Sequence, residues 1–167
     1  MSSGALTRRG HQSLSVGQEP FDAPDSQRLI AELDAHLASR YPPEQRFGPN
    51  LKREHLEPGL GTFIVARLDG EAVGCGALRK LDASAGEVKR MYVSPRMRGA
   101  GIGKAILDRL TAHGIELGLR RLVLETGIHQ QEAISLYQHA GFRQIACWGE
   151  YQKSPTSVCF EKHLSPP

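Results

Sequence analysis

The run from Arg96 to Lys104, RMRGAGIGK, sets Gly99, Gly101 and Gly103 at alternating positions among Arg96, Arg98 and Lys104. Glycine takes up positive φ without steric cost, so alternating glycines let successive backbone N–H groups converge on one concavity. A helix starting at this turn would add the positive end of its dipole, and the cations add charge, which makes a seat for a pyrophosphate. Two other phosphate turns do not fit. The triphosphate loop needs a hydroxyl residue after its lysine and a glycine five places before its last one, where this chain has Ala105 and Arg98. The dinucleotide fingerprint needs a glycine where Lys104 stands. The remaining alternative is a turn kept only for tight packing, and three glycines in five residues are conformationally costly for that purpose.

The elements that must hold this turn follow from the hydrophobic spacing. Residues 14–19 suggest a short strand. Pro24 begins a helix on which Leu29, Ile30, Leu33 and Leu37 share a face, and Pro42-Pro43 ends it. The Pro- and Gly-containing stretch to Gly61 reads as loop with one short helix. Residues 62–68, 72–81 and 87–93 read as a three-strand meander with a hairpin at Asp69-Gly70, and Pro95 stops the third strand. A helix over 101–117 carries Ile102, Ile106, Leu110 and Leu117 on one side, with Gly118 as its stop. Residues 122–126 form an apolar strand suited to a sheet centre, and 130–140 form a further helix. Residues 142–147 and 157–162 are the last strands. The pattern predicts a mixed α/β fold: a central mixed antiparallel and parallel sheet flanked by about four helices, with the right-handed crossover through the 101–117 helix.

Length and composition bound the function. At 167 residues the chain is expected to be one domain over 13–167, preceded by a flexible tail over 1–12. A net charge of +3 with dispersed basic residues gives no nucleic-acid footprint. No segment has the apolar length of a signal peptide or membrane span, so a cytoplasmic protein without a membrane partner is expected. Cys75, Cys147 and Cys159 are odd in number without CxxC spacing and read as buried, reduced thiols. His113, His129 and His139 lack metal-ligand spacing and read as surface histidines, so no metal is expected.

With these motifs in order, the chain resembles the GNAT superfamily of N-acetyltransferases. Arg98 to Gly103 resembles the family's Arg/Gln-x-x-Gly-x-Gly/Ala motif. Glu87 to Val93 resembles its fourth strand, and Ala133 to Phe142 its A-I-x-L-Y-x-x-x-G-F helix. The likeness covers roughly residues 62–164, and residues 124–127 and 151–158 are similar to a bacterial subgroup of acetyltransferases. The resemblance implies splayed fourth and fifth strands, with acetyl-CoA as co-substrate. It implies that main-chain groups of Met91 and Val93, around Tyr92, meet the pantetheine. Arg98, Gly99, Ala100, Gly101, Ile102, Gly103 and Lys104 would hold the diphosphate. The chain departs from the family at Gln130, where many members carry Asn.

The chemistry so implied is transfer of an acetyl group to a primary amine of a small molecule by direct attack in a ternary complex. The alternatives are a protein or peptide N-acetyltransferase and a non-catalytic acyl-CoA-binding domain. Attack on a thioester needs a neutral amine, a proton acceptor and a donor for the leaving thiolate. Tyr137 is the expected donor, unless its ring only packs under its helix. Glu87 is the expected base, unless it is a solvated strand-end carboxylate. Glu125, across the gap, would bind the acceptor ammonium or pair with Arg90 or Lys89. Glu150 and Tyr151 are further candidates for acceptor contact. Cys147 and Cys159 lack a His-Asp arrangement for nucleophilic catalysis. Monomer and homodimer remain equally open.

Overall fold

The computed structural model describes residues 12–46, 48 and 50–165. Strand β1 (Leu14–Gln18) is followed by helix α1 (Pro24–Arg40), then by β2 (Gly61–Leu68), β3 (Glu71–Lys80) and β4 (Ala85–Val93). Helix α2 (Ile102–Glu116), β5 (Arg121–Gly127), α3 (Gln131–His139), β6 (Arg143–Ile145) and β7 (Ser157–His163) complete the order. The seven strands form one mixed sheet in the order β1-β2-β3-β4-β5-β7-β6. All pairs are antiparallel except β4 with β5. The expected tail falls, apart from its last residue, outside the described residues.

The alternation in β2 decides the layering. Phe63 and Val65 pack toward α1 with Leu29, Leu33, Cys75 and Tyr92. Ile64 and Ala66 face α2 with Leu78, Ile106, Leu110, Leu122 and Phe160. A strand covered on both faces reads as an apolar run, as this one does. The Asp69-Gly70 hairpin has positive φ at both residues, 50° and 84°, which matches the twist of the flanking strands.

The important irregularity lies in β4. Cys75 pairs with Tyr92 and Ala77 with Lys89, so Arg90 and Met91 together oppose Gly76. Arg90 takes φ 58°, and a β carbon on Gly76 would lie 2.7 Å from the Met91 sulfur and 2.8 Å from Ile106. This β-bulge bends the strand and increases its twist. Pairing of β4 with β5 accordingly stops at Val88 with Leu124, and the two strands diverge beyond it. The gap lies between residues 89–93 and 125–127.

Three expectations need correction. Among the described residues three α-helices flank the sheet rather than about four. The remaining helical turns are short 3-10 segments at Pro43–Gln45, Arg53–Leu56, Pro95–Met97 and Gly149–Lys153, each with a proline (Pro42 and Pro43, Pro58, Pro95 and Pro155) within it or within two residues of its end. Cys147 and Cys159 are joined in a disulfide rather than reduced, while Cys75 is free and buried. The reason is register: Ile145 lies opposite Cys159, and the chain beyond β6 brings the Cys147 Cα within 5.2 Å of the Cys159 Cα. His113 is not a surface residue. Its ring is half-buried, its Nε2 has no hydrogen-bond partner, and burial lowers its pKa. Among the described residues no helix is long and apolar enough to cross a membrane.

Candidate active site

The strand gap opens into two adjoining cavities. The larger, about 890 Å³, runs from the gap to the start of α2. Met91, Tyr92 and Val93 line one side, and Arg98, Gly99, Gly101, Ile102, Gly103 and Lys104 line its end. Gly99 and Gly101 have φ of 83° and 80°, and added β carbons there would point into open space. They therefore serve the turn's conformation. Gly101 is the N-cap of α2 and no side chain caps the helix, so its first-turn N–H groups remain available to a ligand. Gly103 has a different reason: a β carbon would approach Leu136 to 3.1 Å, so it lets α2 and α3 pack. Ile102 is 2% exposed and anchors the turn in the core.

The residues present fit a nucleotide diphosphate: a glycine turn with free N–H groups, beside Arg98 and Lys104. Arg98 is held by the Val93 carbonyl at 3.3 Å and by Glu132 at 3.5 Å, while Lys104 pairs with Asp108 at 2.7 Å. Ala100 belongs to the turn but does not line the cavity. Arg96 turns away to pair with Glu71. The Tyr92 ring packs into the α1-side core, so only its main chain is offered to the gap. Gln130, at the start of α3, accepts a hydrogen bond from Arg40 at 3.1 Å.

The smaller cavity, about 420 Å³, lies on the other side of Met91 and Tyr137. Residues from α1, the loop residues Pro43, Gln45, Arg46, Gly48 and Asn50, β4, β5, α3 with its N-cap, and the 151–156 segment contribute to it. Tyr137 lines both cavities, as do Met91, Gln130 and Ala133. Its ring sits against Phe142 and Phe160 at centroid distances of 5.9 and 6.3 Å. Burial raises the Tyr137 pKa well above its usual value, with a smaller contribution from the Glu125 charge. The hydroxyl thus stays protonated and able to donate.

Glu87 is neither solvated nor at the strand start. It is 1% exposed, two residues into β4. Its Oε1 accepts from Arg79 Nε at 3.0 Å and its Oε2 from the Tyr151 hydroxyl at 2.8 Å. Lys89 Nζ donates to the same hydroxyl at 3.0 Å and stands 3.7 Å from Glu87. Burial lowers the Lys89 pKa, opposed by Glu87, and burial with the Glu87 charge raises that of Tyr151.

Glu125 is less enclosed. It accepts one hydrogen bond, from the Ser157 hydroxyl at 3.0 Å, and burial raises its pKa against that bond and the Lys89 charge. Arg90, one expected partner of Glu125, pairs instead with Asp34 at 2.6 Å. Glu150 is exposed and does not reach the cavity, whereas its neighbour Tyr151 does. Sequence reasoning overlooked Arg79 and gave Lys89 no role of its own. The i,i+2 spacing from Glu87 was the available signal, because alternate strand residues share a face.

A glycine turn at an uncapped helix start, a splayed parallel strand pair and a tyrosine between two cavities are the arrangement of an acyl-CoA-dependent N-acyltransferase. Residues 26–142 match the family model described as acetyltransferase (GNAT) family, and the chain belongs to that family of acetyltransferases. It is 40% identical to the IAA acetyltransferase of Azospirillum brasilense over 138 residues, covering 82% of this chain and 89% of that protein. It is 32% identical to the uncharacterized N-acetyltransferase YsnE of Bacillus subtilis, covering 82% and 93%. Among solved structures, a Klebsiella pneumoniae protein assigned as acyl-CoA N-acyltransferase superposes with TM-score 0.79 at 33% identity, covering 91% of this chain and 98% of that one. A GNAT acetyltransferase of Elizabethkingia anophelis with acetyl-CoA bound shares the fold, with TM-score 0.63 at 19% identity over 90% and 98%.

Proposed function

We propose that the protein transfers the acetyl group of acetyl-CoA to a primary amine of a small molecule, by direct attack in a ternary complex. The observation that carries this reading is Tyr137, whose side chain borders both the cavity ending at the phosphate turn and the cavity containing Glu125. Bound acetyl-CoA would supply an activated thioester. The turn N–H groups, Arg98 and Lys104 hold its diphosphate, the β4 main chain at Met91 and Val93 meets its pantetheine, and Gln130 lies alongside. The amine nitrogen bonds to the acetyl carbon as the carbon–sulfur bond breaks. Glu125 accepts the proton lost by nitrogen, and the Tyr137 hydroxyl gives the proton that ends on sulfur.

Glu87 takes a positioning role in this scheme, since Arg79 and the Tyr151 hydroxyl engage its two oxygens. The Azospirillum relative is named for a small molecule, IAA, which supports a small acceptor over a protein. A single domain and a cytoplasmic location, beside the acetyl-CoA pool, belong to the same reading. There the Cys147–Cys159 pair would meet a reducing environment.

A panel of primary amines incubated with acetyl-CoA and a thiol-reactive reagent tests the proposal. The expected result is equimolar thiol and N-acetylated product by mass. Tight CoA binding without thiol release for any amine would make the protein a binding module. The proton acceptor is identified by pH: Glu125 must be ionised, so kcat/KM falls as pH drops through its raised pKa. Glu125→Gln should remove that component of the acid limb and slow turnover about 10²-fold or more.

A further inference from the structure

The acceptor cavity carries three acidic lining residues, Asp34, Glu87 and Glu125, against three basic ones, Arg46, Lys89 and Arg90. These do not cancel evenly. Arg90 and Asp34 neutralise each other at 2.6 Å. Glu87 is matched more closely by Arg79, at 3.0 Å from β3, than by Lys89 at 3.7 Å. Once those pairs are set aside, the wall holds Glu125, Lys89 and Arg46, an excess of one positive charge. Lys89 is the unusual member, for its side chain is only 12% exposed. An ammonium has three donors; one goes to Tyr151, and Glu87 lies beyond hydrogen-bond distance. A buried ammonium short of an anion is unfavourable, and an incoming carboxylate relieves that.

We infer that the acceptor is a primary amine that also carries a carboxylate, an amino acid in the broad sense. Its carboxylate is met by Lys89, with Arg46 assisting, and its amine faces Glu125. This rests on the acetyl-transfer reading above. A polyamine would add cations to a cavity already positive, and an uncharged amine would leave Lys89 unmatched. The cavity volume, about 420 Å³, is near the lower end of small-ligand pockets, roughly 300–1,000 Å³, and suits a single amino acid.

The test compares L-amino acids with their decarboxylated amines, such as phenylalanine with phenethylamine and glutamate with γ-aminobutyrate, at equal concentrations of neutral amine. Where only one member keeps a carboxylate, it should be preferred in kcat/KM by about tenfold or more, as expected for one charge-assisted hydrogen bond. Glutamate and γ-aminobutyrate, which both keep one, should differ less. In Lys89→Gln the preference should collapse through a higher KM for the carboxylated member. In Arg46→Gln, an exposed position that does not threaten folding, it should shrink. Binding is read separately, as the thermal shift each ligand produces with CoA present, and intact folding as the shift produced by CoA alone. Phenylalanine should stabilise the wild type more than phenethylamine, and this margin should vanish in Lys89→Gln. Equal use and equal binding of both members, unaltered in either variant, would overturn the inference while leaving acetyl transfer intact. Thiol release from no amine would defeat the transfer reading, and the binding arm would still decide the ligand class.

Discussion

The two cavities share Tyr137 but are built in different ways. The larger one depends on backbone conformation at one continuous stretch: the β4 edge beyond the bulge and the glycine turn into α2, within residues 91–104, are faced by residues of α1 and α3. The smaller one is made of side chains from six separate segments, held by an Arg79–Glu87–Tyr151–Lys89 chain of contacts. A backbone site needs particular φ values at a few glycines and otherwise tolerates sequence change. A side-chain site changes its ligand whenever one residue changes. The construction itself therefore separates what members of such a fold share from what distinguishes them.

Tyr137→Phe probes the shared wall and should have the largest effect. The variant keeps the ring against Phe142 and Phe160 and removes only the donor. Turnover should fall about 10²- to 10⁴-fold, equivalent to roughly 2.7–5.4 kcal/mol of barrier. The lower end is expected because a thiolate is already a fair leaving group. Single-turnover assays should show the loss in the chemical step, with acetyl-CoA affinity retained. Unchanged rates would leave Tyr137 with packing alone.

Glu87→Gln tests whether the smaller cavity is a framework. Glu87 is 1% exposed and paired with Arg79, whose side chain is 17% exposed. Breaking one side of a buried ion pair costs about 3–5 kcal/mol, and the lower end is expected because Arg79 retains some water contact. Denaturant titration should show this loss, with the acid limb of the pH–rate profile kept. A stable variant that has lost that limb would return the base role to Glu87.

Gly101→Val tests the larger cavity. Valine at φ 80° is strained, and its branches would enter the space beside the helix N-terminus. At 100-fold over its dissociation constant acetyl-CoA should stabilise the wild type by about 2.7 kcal/mol, and the variant should lose most of that shift. A folded variant that still binds CoA tightly would remove the diphosphate assignment.

The same contrast explains what the sequence revealed. Helices α1, α2 and α3 and the glycine turn were legible because each is set by local spacing and local φ requirements. The acceptor cavity was not, since Arg79 meets Glu87 only through the β3–β4 register. The bulge at Arg90 also breaks the strict alternation from which strand faces are read. The disulfide escaped for a related reason: Cys147 and Cys159 approach only once β6 has paired with β7, outside β5. Arg98, Gly101 and Tyr137 could be found from a motif, whereas Lys89 needed a register.

Glu125→Gln should give the smallest change in stability, and its sign is informative. Burial raises the Glu125 pKa above its usual value of 4.5, so the folded protein holds this proton more tightly than the unfolded chain. The folded state is then favoured by protonation, and stability is lost as pH rises from the unfolded carboxylate pKa through the raised folded value. Above the raised value the wild type bears the penalty of an ionised, partly buried carboxylate. Glutamine never ionises, and its carbonyl oxygen can still accept from the Ser157 hydroxyl. Loss of charge on that hydrogen bond opposes the gain by about 1 kcal/mol at most. The expected result is a neutral to slightly raised Tm at pH 7, with the advantage shrinking as pH falls through the raised folded value and gone below pH ~4, where Glu125 is protonated in both states. A clear loss of stability at pH 7 would place Glu125 beside Glu87 as framework, and the distinction between a reactive and a structural carboxylate would fail.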